Sequence, residues 1–192
     1  MSGSAHDEGS SPDATSRSRL LDAAEALLVE EGYASVTSRR VGAKAGLKPQ
    51  LVHYYFESMD ELFLEVFRRR AEADLARFEE SVQRDGSLES LWQLNTDLRS
   101  ATFSIEYAAL ANHRKAIRAE IARYAERFRA AQLEAFSAAL SAHGISPEQL
   151  PPIVALVMMT GVSQILALEE GLEFTTGHQE TIAFFTKRIA EL

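Results

Sequence analysis

The stretch from Thr37 to Phe56, TSRRVGAKAGLKPQLVHYYF, constrains the fold more than any other part of this chain. Val41 and Ala45 stand four apart, on one face of a helix. Gly46 then breaks the period, and Leu47 supplies a residue to bury just after the turn. Pro49 suits the first position of a new helix, where its missing N–H costs nothing. Val52 and Phe56 are again four apart, the separation that stacks side chains on one helix face. Two short helices joined by a glycine turn make a helix-turn-helix, the motif whose second helix enters a DNA major groove.

The wheel of the second helix makes the expectation specific. With Val52 and Phe56 pointing inward, a rotation of about 100° per residue sends Gln50 and Tyr54 outward, flanked by Leu51 and His53. Lys48 opens this helix, and Arg39, Arg40 and Lys44 lie on the one before it. Between Gly32 and Glu57 there are four basic residues and one acidic residue, in a chain whose net charge is −8. A local basic surface with hydrogen-bonding and aromatic groups meets what phosphate and base-edge contacts require. Arginine pairs with guanine and glutamine with adenine. The bland reading of the same arginines is a solvated helix face.

Composition narrows the remaining possibilities. The 192 residues suffice for one large domain or two modest ones. Residues 1–15 carry −3, residues 16–70 carry +1 and the rest −6. Indiscriminate attraction to nucleic acid is therefore not expected, and any DNA contact has to come from a focused patch. Without cysteine there is no disulfide, thiolate metal site or cysteine nucleophile. The first fifteen residues lack the basic start and apolar run of a signal peptide and read as a disordered tail, set at residues 1–14. No stretch reaches ~18 uninterrupted apolar residues, because Thr160, Ser163 and Gln164 interrupt Ile153–Leu168. A soluble, cytoplasmic protein with no membrane partner is expected.

Beyond residue 15 the period is helical almost throughout. Leu20, Leu21, Ala24, Leu27 and Leu28 form one stripe, with Thr15 or Ser16 as N-cap and Gly32 as the stop. Ser58 and Glu61 make a capping box that starts a helix reaching about Val82. Shorter apolar groups at Leu88–Leu94 and Phe103–Ala111 predict two more helices. A long one runs from Ile117 and is closed by Gly144, one apolar nearly all round spans Ile153 to Glu170, and a last one carries Ile182, Phe185 and Ile189. The chain is expected to be all-α.

The segment RLLDAAEALLVEEGYASVTSRRVGAKAGLKPQLVHYYFESMDELF resembles the N-terminal DNA-binding domain of TetR-type transcriptional regulators. The likeness rests on Leu21-Asp22-Ala23-Ala24, Glu31-Gly32-Tyr33, Thr37, Ala45-Gly46-Leu47, Tyr54-Tyr55-Phe56, Ser58 and Glu61-Leu62-Phe63. It fades after about residue 75. The resemblance implies a helix-turn-helix head over residues 15–74 with its motif at 37–56, and a helical ligand-binding and dimerisation body over 75–192. Thr37 joins Arg39, Arg40, Lys48, Gln50, Leu51, His53 and Tyr54 as candidate contacts to a double-stranded DNA operator. A homodimer built mainly from the last two helices is also implied, with Ile153, Val157, Ile165, Ile182, Phe185 and Ile189 as its candidate interface. Two departures stand out: Lys48-Pro49-Gln50 begins the recognition helix, and Ser58-Met59-Asp60 lacks the lysine often found near its second position.

In the body, Trp92, Phe103, Tyr107, Tyr124, Phe128 and Met158 are candidates for the wall of an apolar pocket, though the same residues suit an ordinary core. Glu106, His113 and Ser163 are polar groups set among apolar neighbours, as a ligand site needs. The basic run Arg114, Lys115, Arg118, Arg123, Arg127 and Arg129 suits either an anionic ligand or a solvated face paired with Glu120 and Glu126. No phosphate loop or metal-binding histidine motif is present, so neither catalysis nor a cofactor is expected. The sequence therefore points to a ligand-responsive repressor that binds a pseudo-palindromic operator as a dimer and is released by a small, mainly apolar effector. The alternative is an all-α small-molecule-binding or scaffold protein whose head does not read DNA.

Overall fold

The computed structural model describes residues 12–96 and 98–191. They are all-α, with no strand among them. By internal packing the chain divides into one unit up to Val66 and a second from Phe67. The sequence-based boundary after residue 74 falls further along the same helix.

The first unit is built on α1 (Pro12–Glu31), a 3₁₀ turn at Tyr33–Ser35, α2 (Ser38–Ala45), α3 (Gln50–Tyr55) and the start of α4 (Met59–Arg84). Helix α1 begins earlier than the Thr15 or Ser16 cap predicts. Pro12 suits a first helical position because the backbone N–H it lacks would have no partner there, and Asp13 adds a carboxylate where the helix dipole favours one. Residues 12–14 of the expected tail are thus helical, and residues 1–11 lie outside the described part. Leu20, Leu21, Ala24, Leu27 and Leu28 are buried along α1, as their spacing demands, and Val41, Val52, Phe56, Leu62 and Val66 are buried in the same unit. Ser58 Oγ accepts from the Glu61 amide at 3.1 Å, while the Glu61 carboxylate reaches back to the Glu57 amide. The capping box therefore closes one residue earlier than its usual form.

The second unit continues α4 and adds α5 (Leu88–Asn95), α6 (Leu98–Ala111), α7 (Lys115–Ala142), α8 (Pro152–Gly171) and α9 (His178–Ala190). Helix α8 packs on α6 and α7, and α9 packs on α5. One core joins Leu88, Leu91 and Trp92 to Phe136, Leu140, Leu156 and Ile189. A second, aromatic group stacks Phe103 on Tyr107, with ring centroids 4.6 Å apart, and places Phe67 against both and against Tyr124.

Helix α8 is long and apolar enough to cross a membrane by length and composition alone, a test that the core helix of a soluble protein also passes. One sequence expectation is sharpened in α9. On α9, Phe185 stacks against Trp92 with centroids 5.2 Å apart, Ile189 is buried, and Ile182 is half-buried. Phe185 and Ile189 therefore pack on the unit's own core, and the exposed aromatic of α9 is Phe184. An apolar stripe has the same period whether it is covered by its own chain or by another.

Candidate functional site

Helix α2 is positioned by its ends. Thr37 is the N-cap, its hydroxyl accepting from the Arg40 amide at 3.3 Å, so this candidate contact already has a structural duty. Gly46 ends the helix at φ 64°, in the left-handed region where a side chain is strained. Arg19 donates to the Ala45 carbonyl at the same end, placing a cation where the helix dipole favours it. Gly42 matters for a reason the sequence did not signal. A Cβ there would lie 3.0 Å from the Pro49 backbone, so the chain entering α3 approaches α2 at a distance only glycine permits. A glycine one turn before the Gly46 stop was the available clue.

Helix α3 presents its two faces as the wheel predicts. Val52 and Phe56 are each 1% exposed, while Tyr54 is 71% exposed and Gln50 and His53 also face outward. Leu51 is half-buried and Lys48 exposed. Tyr55 turns aside to donate its hydroxyl to Asp13 at 2.8 Å, a bond that raises its pKa. It fastens the start of α1 to the end of α3. On α2, Arg39 is exposed, whereas Arg40 is paired with Glu31 and Lys44 with Glu30. Gln50, His53, Tyr54, Lys48 and Arg39 therefore share the outer side of the motif, and the basic charge of α2 is partly neutralised.

The second unit encloses a cavity of about 420 Å³ between α4, α5, α6, α7 and α8. Of the sequence candidates, Phe103, Tyr107, Tyr124, Phe128 and Ser163 line it. Trp92 does not: it is 3% exposed in the neighbouring core, with its indole N–H bonded to Thr186 Oγ1 at 3.0 Å. Met158 is turned outward and is 52% exposed, leaving Met159 on the buried side of α8. Glu106 is half-buried outside the cavity, and His113 is exposed in the turn after α6. Aromatic composition marked the region but did not separate its wall from the adjacent core.

The polar lining residues divide by partner. Asp74 accepts from Arg70 Nε at 3.0 Å on both oxygens and from Arg77 at 2.8 Å. Tyr124 donates to Glu72 at 2.8 Å, and burial followed by this bond raises its pKa. The lining residues Arg129, Gln132, Ser163 and Gln164 have no side-chain hydrogen bond among the described residues. Gln132 and Ser163 are nevertheless buried, at 8% and 4% exposure. The basic run of α7 is thus split: Arg123 is bonded to Glu120 and Arg127 to Glu72, while Arg129 lines the cavity. Among the described residues no three histidine, aspartate or glutamate side chains gather as metal ligands do.

A helix-turn-helix unit is thus followed by a cavity-bearing helical unit. Residues 20–66 match the N-terminal domain model of the bacterial regulatory proteins of the tetR family. Residues 20–66 thus resemble a tetR-family DNA-binding domain, joined here to a helical second unit. The fold is shared along more than nine-tenths of the chain with solved structures. A Streptomyces coelicolor A3(2) chain described as a transcriptional regulator is 23% identical, with 92% of this chain and 97% of that one covered at a TM-score of 0.63. A Mesorhizobium loti chain described as a TetR-family regulator is 18% identical, with 95% and 96% covered at 0.69. A Saccharomonospora viridis regulator solved in complex with choline is 16% identical, with 91% and 93% covered at 0.72. No curated protein matches the sequence.

Proposed function

We propose that the protein is a dimeric, ligand-responsive transcriptional regulator acting as a repressor on a pseudo-palindromic operator. The observation that carries this reading is the outer face of α3, where Gln50, His53 and Tyr54 stand exposed opposite the buried Val52 and Phe56. Tyr54 meets the neighbouring Tyr55 ring edge-on at 4.9 Å yet is left 71% exposed on a six-residue helix. Against DNA it has a use: Gln50 reads a base edge, while Tyr54, Lys48 and Arg39 hold phosphates. Two such helices in a dimer would enter successive major grooves, roughly 34–36 Å apart.

The proposed dimer face is α8, where Ile153, Val154, Val157, Met158, Ile165 and Leu168 are each at least 40% exposed. Gly161 lies within this run with no atom within 4 Å of where its Cβ would be, which would let a second helix come close. Of the sequence-based interface, Ile153, Val157 and Ile165 suit this face. A mainly apolar effector in the cavity would favour a conformation with lower operator affinity, and release follows from its differential affinity for the two conformations.

The deciding experiment is a gel shift of the full-length protein on the DNA upstream of its own gene, against shuffled DNA at moderate salt. Preferential retardation of the upstream fragment is expected. Equal binding to both fragments would reject the repressor and leave the reading as a ligand-binding or scaffold protein.

A further inference from the structure

The cavity's unpaired polar groups define the charge of what it holds. Among the described residues, three charged side chains line it: Asp74, Arg77 and Arg129. Asp74 is committed to two arginines, Arg70 and Arg77, at 2.8–3.0 Å. Its negative charge is therefore matched before any ligand arrives. Arg129 has no partner among the described residues and is half-buried. The lining thus keeps an excess positive charge in a setting screened less than the surface is.

The neutral groups point the same way. Arg129 and Gln132 stand three apart on α7, on the helix face that also supplies Tyr124, Phe128 and Ala125 to the lining. Ser163 faces the same space from α8. Among the described residues no fully buried side-chain polar atom lacks a partner, so the amide of Gln132 and the hydroxyl of Ser163 are reached from the cavity and can pair with a ligand. A guanidinium, which only donates, fixes the matching group as an anion. Around these donors the wall is aromatic, through Phe67, Phe78, Phe103 and Phe128.

We infer that the cavity takes an amphipathic carboxylate, with its head on Arg129 and Gln132 and its apolar body among the phenylalanine rings. The inference rests on the cavity being the effector site, and it makes the site charge-selective. Aromatic rings alone would also suit a quaternary ammonium, as choline is in the Saccharomonospora viridis neighbour. Here Asp74, the lining carboxylate among the described residues, is already occupied, and Arg129 repels a cation.

Matched probes test this on the full-length protein by isothermal titration calorimetry. 4-Phenylbutyrate and decanoate are compared with 4-phenylbutanol and decanol, and with choline. Each acid should bind about ten- to a hundredfold more tightly than its alcohol, the range set by one hydrogen bond to a charged group, and choline should not bind. Arg129→Gln should bring each acid to the affinity of its alcohol and leave the alcohols unchanged. Acids and alcohols binding equally to the wild type, or choline binding best, would overturn the charge selectivity while leaving the cavity as a ligand site. Binding of none of the five would overturn both. The wild-type comparison decides the matter even if the variant does not fold.

Discussion

Lys44 Nζ lies 2.7 Å from a carboxylate oxygen of Glu30, tying the last turn of α2 to the end of α1. Arg40 is bonded in the same way to Glu31 one position on. Both pairs are solvent-accessible and add little to stability, but they withdraw two cations from a surface proposed to meet phosphate. The double change Glu30→Gln with Glu31→Gln should therefore strengthen binding to non-cognate DNA. Its plot of log affinity against log salt should steepen by about 1 to 2. Fluorescence anisotropy at several salt concentrations measures this, and a slope equal to wild type would mean neither cation is held back.

Reading and dimerisation should separate cleanly. Gln50→Ala and Tyr54→Ala each remove an exposed side chain from α3, so each should abolish operator preference in a gel shift with no change in sedimentation. Loss of the dimer with either substitution would mean this face does not point at DNA.

The close approach at Gly42 predicts a defect that is structural in origin. Gly42→Ala would bring a Cβ to 3.0 Å from backbone atoms of Pro49 and 3.1 Å from the Leu47 carbonyl oxygen. Backbone cannot swing aside as a side-chain tip can. The substitution should cost ~1–3 kcal/mol and speed hydrogen exchange over residues 38–55. Unaltered exchange there would show that the turn has slack.

Glu120 supplies a pH signature. Hydrogen bonds from Arg123 and then Arg68 hold its carboxyl down to about 2. A folded pKa below the unfolded value stabilises fully above the ordinary range near ~4.3, and the effect is lost as pH falls through the folded value. Glu120→Gln should therefore lower stability at pH 7 by ~1 kcal/mol, since both arginine partners are well exposed. The difference from wild type should narrow as pH falls from 5 toward 3. Urea denaturation across that range tests it, and a constant gap would exclude the ion pairs as its cause.

Val157→Asp places a charge on the proposed dimer face at a residue that is 50% exposed. It should yield monomers by analytical ultracentrifugation with helix content retained. Phe185→Ala, by contrast, removes a ring stacked on Trp92 and should lower the melting temperature first. If Val157→Asp remained dimeric, another surface would have to supply the contact.

Where one face of a helix has one neighbour, periodicity alone told inside from outside: Val52 and Phe56 are buried, Gln50 and Tyr54 are exposed. The same rule could not tell the core packing of Phe185 and Ile189 from an interface, because burial by a partner and burial by the same chain leave identical spacing. Trp92 and Met158 missed the cavity for a related reason. Composition marks an apolar region, but one turn of rotation decides whether a side chain enters the core, the cavity or solvent. Gly42 was invisible because its role is a distance between two backbones, which no local pattern encodes. The early start of α1 depended on a distant partner, the Tyr55 hydroxyl on Asp13.

The uncovered run on α8 has a consequence for how much of this protein there is. If that surface is closed only by a second copy, folding and association share one equilibrium, and the melting temperature rises with concentration. A cell holding few copies would then have less regulator, and a less stable one. Cellular abundance would act on the protein as a folding condition as well as on its occupancy of DNA.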